Sequence, residues 1–159
     1  MQTQSVIAKF TNRRRVSMTD TDASGTVHLG AFIRMMEETE YAFLRSRGLS
    51  VVLTDAKGIL GFPRLEASID VAHPAQFDDE LQIELSLIEV DGKQVIYEFA
   101  IEGIGGTIDA VQVASGRFRV VCCRFPNDDN PYAILTPLHV IDALREQPKQ
   151  KDDDGRQKT

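Results

Sequence analysis

The sequence predicts an α+β domain in which one principal helix packs against an antiparallel sheet. Two observations carry this. Residues 30–47 repeat buried-type side chains at three- and four-residue steps, as an amphipathic helix requires. From Gly61 onward the chain changes to β-branched runs with partial alternation, divided by turn residues. The composition agrees with a globular domain: of 159 residues, 42% are hydrophobic and 26% charged. A chain of this size can bury roughly 68–70% of its unfolded surface, which argues against wholesale disorder.

The elements follow in order. Residues 5–18 read as a strand of β-branched and aromatic residues interrupted by Arg13-Arg14-Arg15. The basic triplet suggests either an anion site or solvated charge on an exposed strand, and the second is the better reading of so short a run. Asp20-Thr21-Asp22-Ala23-Ser24-Gly25 is a loop by its turn and capping residues. The helix over 30–47 places Phe32, Met35, Met36, Thr39, Ala42 and Phe43 on one side, with Arg34, Glu37, Glu38, Tyr41 and Arg45 on the other. Gly48 is its stop signal. Strands are expected over 65–72, 80–90, 94–102 and 108–123, with Asp91-Gly92 as a hairpin turn and Gly103, Gly105 and Gly106 dividing the last pair. Residues 127–131 form a loop. Residues 137–145 form a short helix, with Thr136 as cap and Pro137 at its first position. Residues 1–146 therefore read as a single domain, and 147–159, nearly devoid of apolar residues, as a disordered polar tail.

Charge and cysteine usage narrow the function classes. The net charge is −6 and the isoelectric point about 5.0, which argues against nucleic acid as the main partner. Cys122 and Cys123 are adjacent, and on a strand they face opposite ways, which does not favour bridging them. Residues 1–9 contain no apolar signal-peptide core, and no apolar run is long enough to span a membrane. The expectation is a cytoplasmic protein.

The Asp loop admits three readings. Asp20, Asp22, Ser24 and Gly25 occupy calcium-loop positions one, three, five and six, but Ala31 stands where a bidentate Glu is required, so calcium is rejected. Turn hydrogen bonds to backbone amides and a catalytic carboxylate beside a helix N-terminus both remain open on spacing alone. No nucleophile elbow, zinc-binding His pair, phosphate loop or dinucleotide fingerprint occurs. Of the three histidines, His73 and His139 read as structural, and His28 lies close to the Asp loop.

The stretch Asp20-Thr21-Asp22-Ala23-Ser24-Gly25-Thr26-Val27, followed by an aromatic-bearing helix with Glu37, resembles the signature of the 4-hydroxybenzoyl-CoA thioesterase family. Gly58-Ile59-Leu60-Gly61-Phe62-Pro63 and Phe77-Asp78-Asp79-Glu80-Leu81-Gln82-Ile83-Glu84 extend the resemblance, which covers roughly residues 10 to 125. It implies a hot-dog fold, an antiparallel sheet wrapped around one long central helix. It further implies homodimers or homotetramers, with active sites at the subunit interface. By the same resemblance Asp22 is the nucleophile or general base, and the backbone N–H of Leu29 is the donor to the thioester oxygen. Many relatives carry a polar or aromatic residue at the Leu29 position, some a His. His28 stands one place earlier and is not that His.

Candidate substrate-binding residues are His28, Phe32, Phe62 and Pro63. Another branch of the fold uses a helix glutamate, which makes Glu37 or Glu38 the rival catalytic residue. Arg64, Arg117, Arg119 and Arg124 are candidates for the phosphates of coenzyme A. The expected activity is hydrolysis of an acyl-CoA thioester, aromatic rather than aliphatic, with no cofactor and no metal. The alternatives are a non-catalytic acyl-CoA or acyl-carrier binding module and a hot-dog dehydratase or hydratase.

Overall fold

The alternating apolar runs become one sheet, and the helix lies across it. The computed structural model describes residues 5–146; the expected tail, 147–159, lies outside the described residues. The chain begins with β1 (Ala8–Arg15), α1 (Leu29–Ser46), β2 (Leu53–Asp55), β3 (Gly58–Gly61) and β4 (Arg64–Val71). It continues with β5 (Glu80–Asp91), β6 (Gln94–Gly105), β7 (Ile108–Val121), β8 (Cys123–Phe125), β9 (Tyr132–Ala133) and α2 (Leu138–Arg145). Five strands form an antiparallel sheet in the order β1-β5-β6-β7-β4, and the short strands form a second in the order β2-β3-β8-β9. This is the architecture the resemblance implies.

Burial explains the arrangement. Leu81, Ile83, Leu85 and Leu87 of β5 and Val95, Tyr97, Phe99 and Ile101 of β6 all point to the buried face, two residues apart as the pleat demands. A register shift between Leu87 and Glu89 resets the alternation, so that Val90 rather than Glu89 returns inward. From α1, Phe32, Met35, Met36 and Phe43 meet this face at no more than 1% exposure. Each such side chain contributes about 1.5–3 kcal/mol by leaving water. The helix approaches the β7 backbone so closely that a Cβ at Gly116 would stand 2.6 Å from Met36 Cε.

The ends of α1 are chemically defined. Its cap is His28, whose Nδ1 accepts from the Ala31 N–H at 3.0 Å. At the far end Gly48, with φ +71°, donates to Arg45 O, and Leu49 donates to Leu44 O, both at 3.0 Å. This is a Schellman motif with its accompanying apolar pair, Leu44 and Leu49, both buried.

Three expectations are corrected. The run 108–123 is not one strand: Cys122 is the break at which the chain leaves the large sheet for the small one, its N–H bound to Lys93 O and its C=O to Ile134 N–H. Cys122 is buried, Cys123 half-buried, and both are free thiols. The final helix starts at Leu138 with Pro137 as its cap. Thr136 does not cap it, because that residue is buried under the β5–β6 turn, its N–H donating to Gly92 O at 2.8 Å. The β5–β6 turn is centred on Gly92-Lys93 rather than Asp91-Gly92, since Asp91 pairs with Gln94 and Gly92 takes the positive φ of +60°.

Candidate active site

The Asp loop is a miniature hairpin that delivers the chain into α1. Thr21 bridges Val27, the Asp22 N–H donates to Thr26 O, and the Gly25 N–H donates to Asp22 O, each hydrogen bond at 3.0 Å. Gly25 turns the loop at φ +79°, a conformation glycine adopts without Cβ strain. The loop is then tied down by Val27 N–H to Ala75 O at 2.8 Å and His28 N–H to Asp20 O at 3.0 Å.

The two aspartates of this loop have opposite environments. Asp20 is fully buried and accepts from Ser17 N–H and Ser17 Oγ at 2.9 and 2.8 Å, from Arg14 at 2.9 and 3.1 Å, and from Arg34. Burial alone would raise its carboxyl. The Ser17 hydrogen bonds, with Arg34 and Arg14 beside it, outweigh that and hold it below the ordinary 3.8. Asp22 is exposed, and its Oδ1 accepts from the Ser24 N–H at 2.8 Å and from the Ser24 hydroxyl. These hydrogen bonds, the hydroxyl first, lower its carboxyl below 3.8. Oδ2 makes no hydrogen bond among the described residues, so one oxygen of the carboxylate serves the turn and the other is left open.

Next to Asp22 stands the helix N-terminus. The N–H groups of Leu29 and Gly30 precede the first intrahelical acceptor and make no hydrogen bond among the described residues. They carry the positive end of the helix dipole. A carboxylate and two unpaired donors therefore lie within one short stretch of chain, residues 22–30. The Leu29 side chain is 55% exposed and packs nowhere in the core, so its position is marked by its backbone. His28 is committed through Nδ1 to capping, which leaves Nε2 as its free ring nitrogen.

The rival glutamates are ion-paired. Glu37 meets Arg64 at 2.8 Å, and Glu38 meets Arg14 and, at 4.0 Å, Arg34. Phe32 is sealed in the core at 1% exposure, the consequence of lying on the stripe that faces the sheet. It packs there as part of the core cluster. Phe62 and Pro63 do line a cavity, about 370 Å³ in volume, between the C-terminal half of α1 and the segments entering β3 and β4.

That cavity contains the residue that sequence reasoning missed. Glu40, only 2% exposed, lines it beside Tyr41 and Arg64, opposite apolar walls that include Val52, Ile59 and Phe125. Burial raises the Glu40 carboxyl to about 7; the adjacent Arg64 offsets this in part and the charge of Glu37 adds to it. A signal was present. Glu40 lies four residues after Met36 and four before Leu44, both buried, so helical periodicity puts it on the inward side.

The proposed phosphate-binding arginines are mostly engaged elsewhere. Arg64 is held by Glu37 and Glu40 and stacks on Phe118 at 4.8 Å, and Arg124 is buried against Asp55 at 2.6 Å. Neither guanidinium is free to meet a phosphate. Arg117 and Arg119 project from β7 in exposed pairs with Glu98 and Glu66. Arg14 and Arg15 of the basic triplet are likewise paired, with Asp20 and Glu38 and with Asp78 and Glu80.

A sequence profile described as the thioesterase-like superfamily matches residues 16–138. The chain belongs to the thioesterase-like superfamily. Thioester hydrolysis is its reaction class. Among relatives of this thioesterase is a 1,4-dihydroxy-2-naphthoyl-CoA hydrolase of Synechocystis, 30% identical over 92 residues, which are 58% of this chain and 67% of that protein. A solved gentisyl-coenzyme A thioesterase superposes with a TM-score of 0.69 at 27% identity, covering 85% of this chain and 99% of the other. The 4-hydroxybenzoyl-CoA thioesterase of Pseudomonas sp. strain CBS-3 superposes with a TM-score of 0.72 at 17% identity, covering 85% and 98%, and shares the fold. Among the described residues no helix is long and apolar enough to cross a membrane.

Proposed function

We propose that this thioesterase hydrolyses an aromatic acyl-CoA, with Asp22 as nucleophile or general base and the Leu29 N–H as the donor to the thioester oxygen. The observation that carries the reading is the juxtaposition described above: an exposed carboxylate on the loop that opens directly into unpaired helix N–H groups. Attack on the thioester carbonyl places negative charge on its oxygen, where an N–H at the positive end of the helix dipole lowers the barrier. The C–S bond then breaks, and coenzyme A leaves as a thiolate that takes the proton released from water. A thiolate departs readily, so a strong general acid is not required, and one ionised carboxylate suffices. The aromatic acyl group is supported by the names of the Synechocystis and gentisyl-CoA relatives. The active form is a homo-oligomer, in keeping with a catalytic loop left exposed in the single chain.

The test is Asp22→Asn assayed on a panel of aromatic and aliphatic acyl-CoAs with thiol detection. The expected result is an intact fold with kcat reduced by about 10²–10⁴. Wild-type turnover by Asp22→Asn together with an inactive Glu37→Ala or Glu38→Ala would transfer the role to the helix.

A further inference from the structure

In the hairpin that carries Asp22 into α1, residues 20–22 run antiparallel to residues 26–28. The Asp22 N–H donates to Thr26 O, Thr21 bridges Val27, and the His28 N–H donates to Asp20 O. Asp20 therefore stands opposite His28, the cap of α1, on the last rung before the helix. Both groups of the proposed mechanism hang from this rung. Asp22 lies two residues beyond Asp20 on one side, and the Leu29 N–H one residue beyond His28 on the other. Asp22 and Leu29 are themselves exposed, so core packing of their side chains does not hold them.

What holds the rung is a ring of four charges. The buried Asp20 carboxylate accepts from Arg14 of β1 and from Arg34 of α1. Both arginines also meet Glu38 of α1, Arg14 through a hydrogen bond and Arg34 at 4.0 Å. Arginine and carboxylate thus alternate in a closed circuit through β1, the loop and the helix. Arg34 follows Leu29 by five residues, so the circuit grips the helix within about one and a half turns of its N-terminus. A buried ion pair adds little net stability over apolar side chains of the same size, because desolvation consumes much of its Coulombic gain. What apolar side chains would not supply is direction, and here four directed contacts converge on the rung.

We infer that Arg34, with Asp20, Arg14 and Glu38, is a positioning group for thioester hydrolysis, resting on the roles proposed above for Asp22 and Leu29. The ring fixes the Asp22 carboxylate relative to the Leu29 N–H and touches neither the substrate nor the reacting atoms. A misplacement of about 1 Å between such groups can cost about 10²-fold in rate while substrate still binds. Glu38 then serves the loop carboxylate instead of replacing it.

The test measures kcat and KM for Arg34→Met and Arg34→Lys, each in the wild-type and the Asp22→Asn background, on the acyl-CoA that the wild type turns over fastest. Activity is expressed per folded molecule, with the folded fraction taken from circular dichroism. The Arg34 side chain is 44% exposed, so its replacement leaves the core intact. Arg34→Met should lower kcat by about 10–100-fold with KM within about twofold of wild type. Arg34→Lys keeps a charge beside Asp20 and should recover part of the loss. In the Asp22→Asn background Arg34→Met should cost less than about twofold, because the group it positions is gone. A purely structural role would change the folded fraction and leave kcat per folded molecule as it was. Wild-type turnover by Asp22→Asn overturns the mechanism and the positioning role together. A slow Asp22→Asn enzyme beside an unchanged kcat in Arg34→Met, a rise in KM alone, or an equal loss in both backgrounds overturns the positioning role and leaves the mechanism standing.

Discussion

Asp20 and Asp22 are two residues apart and chemically alike, yet their surroundings give them different work. Asp20 is the buried anchor on which Ser17, Arg14 and Arg34 converge, tying β1, the loop and α1 together. Asp20→Asn would leave two guanidinium groups without their shared carboxylate. Since Arg34 is partly exposed, a loss of about 2–3 kcal/mol is expected in urea unfolding. Because the folded carboxyl is held below 3.8, the stability it contributes is present above that value and disappears as pH falls through the folded pKa. Asp22 has the opposite profile, exposed and bonded only within its own loop. Ser24→Ala removes the first of the hydrogen bonds that depress it, so its carboxyl should rise toward 3.8. On the proposed mechanism the acid limb of kcat/KM then moves to higher pH, and a pH–rate profile of the variant checks this.

At the scale of the element, α1 is delimited by a side-chain cap at one end and by a backbone turn at the other. The His28 cap leaves the Leu29 and Gly30 N–H groups open, where the loop has already brought Asp22. The Schellman turn at Gly48 seats Leu49 on Leu44, and Leu44 is a wall of the cavity that Glu40 shares. Gly48→Ala forces a Cβ into a left-handed conformation. It should cost about 1 kcal/mol in denaturant unfolding while leaving turnover at the far end of the helix unchanged. The small sheet β2-β3-β8-β9 has strands of two to four residues, too short to present a periodic pattern. Its existence depends on pairings between segments more than sixty residues apart, Leu60 with Arg124 among them.

For the whole molecule, the buried Glu40–Arg64 pair couples stability to pH. A carboxyl at about 7 in the fold and 4.5 when unfolded favours the folded state fully below 4.5, and the advantage is lost as pH rises through 7. The difference amounts to about 3 kcal/mol at most. Unfolding free energies measured between about pH 5 and 8 should therefore decline for wild type, and the decline should flatten in Glu40→Gln.

What could be read without coordinates was what depends on neighbours along the chain. The 3.6-residue stripe of α1, the alternation of β5 and β6, the glycine that ends the helix and the placing of the Asp loop just before it are all local, and the structure reproduces them. Three-dimensional packing settled the rest, because burial and pairing involve residues distant in sequence. Glu40 reads as one more helix glutamate until Arg64 and the walls of the cavity close around it. By spacing alone Asp20 and Asp22 are alike, until Arg14 and Arg34 bury one of them. Arg64 and Arg124 look like free cations until Glu40 and Asp55 neutralise them. Local periodicity carries hydrophobic pattern, whereas the charge state of a buried group is set by whatever the fold brings beside it.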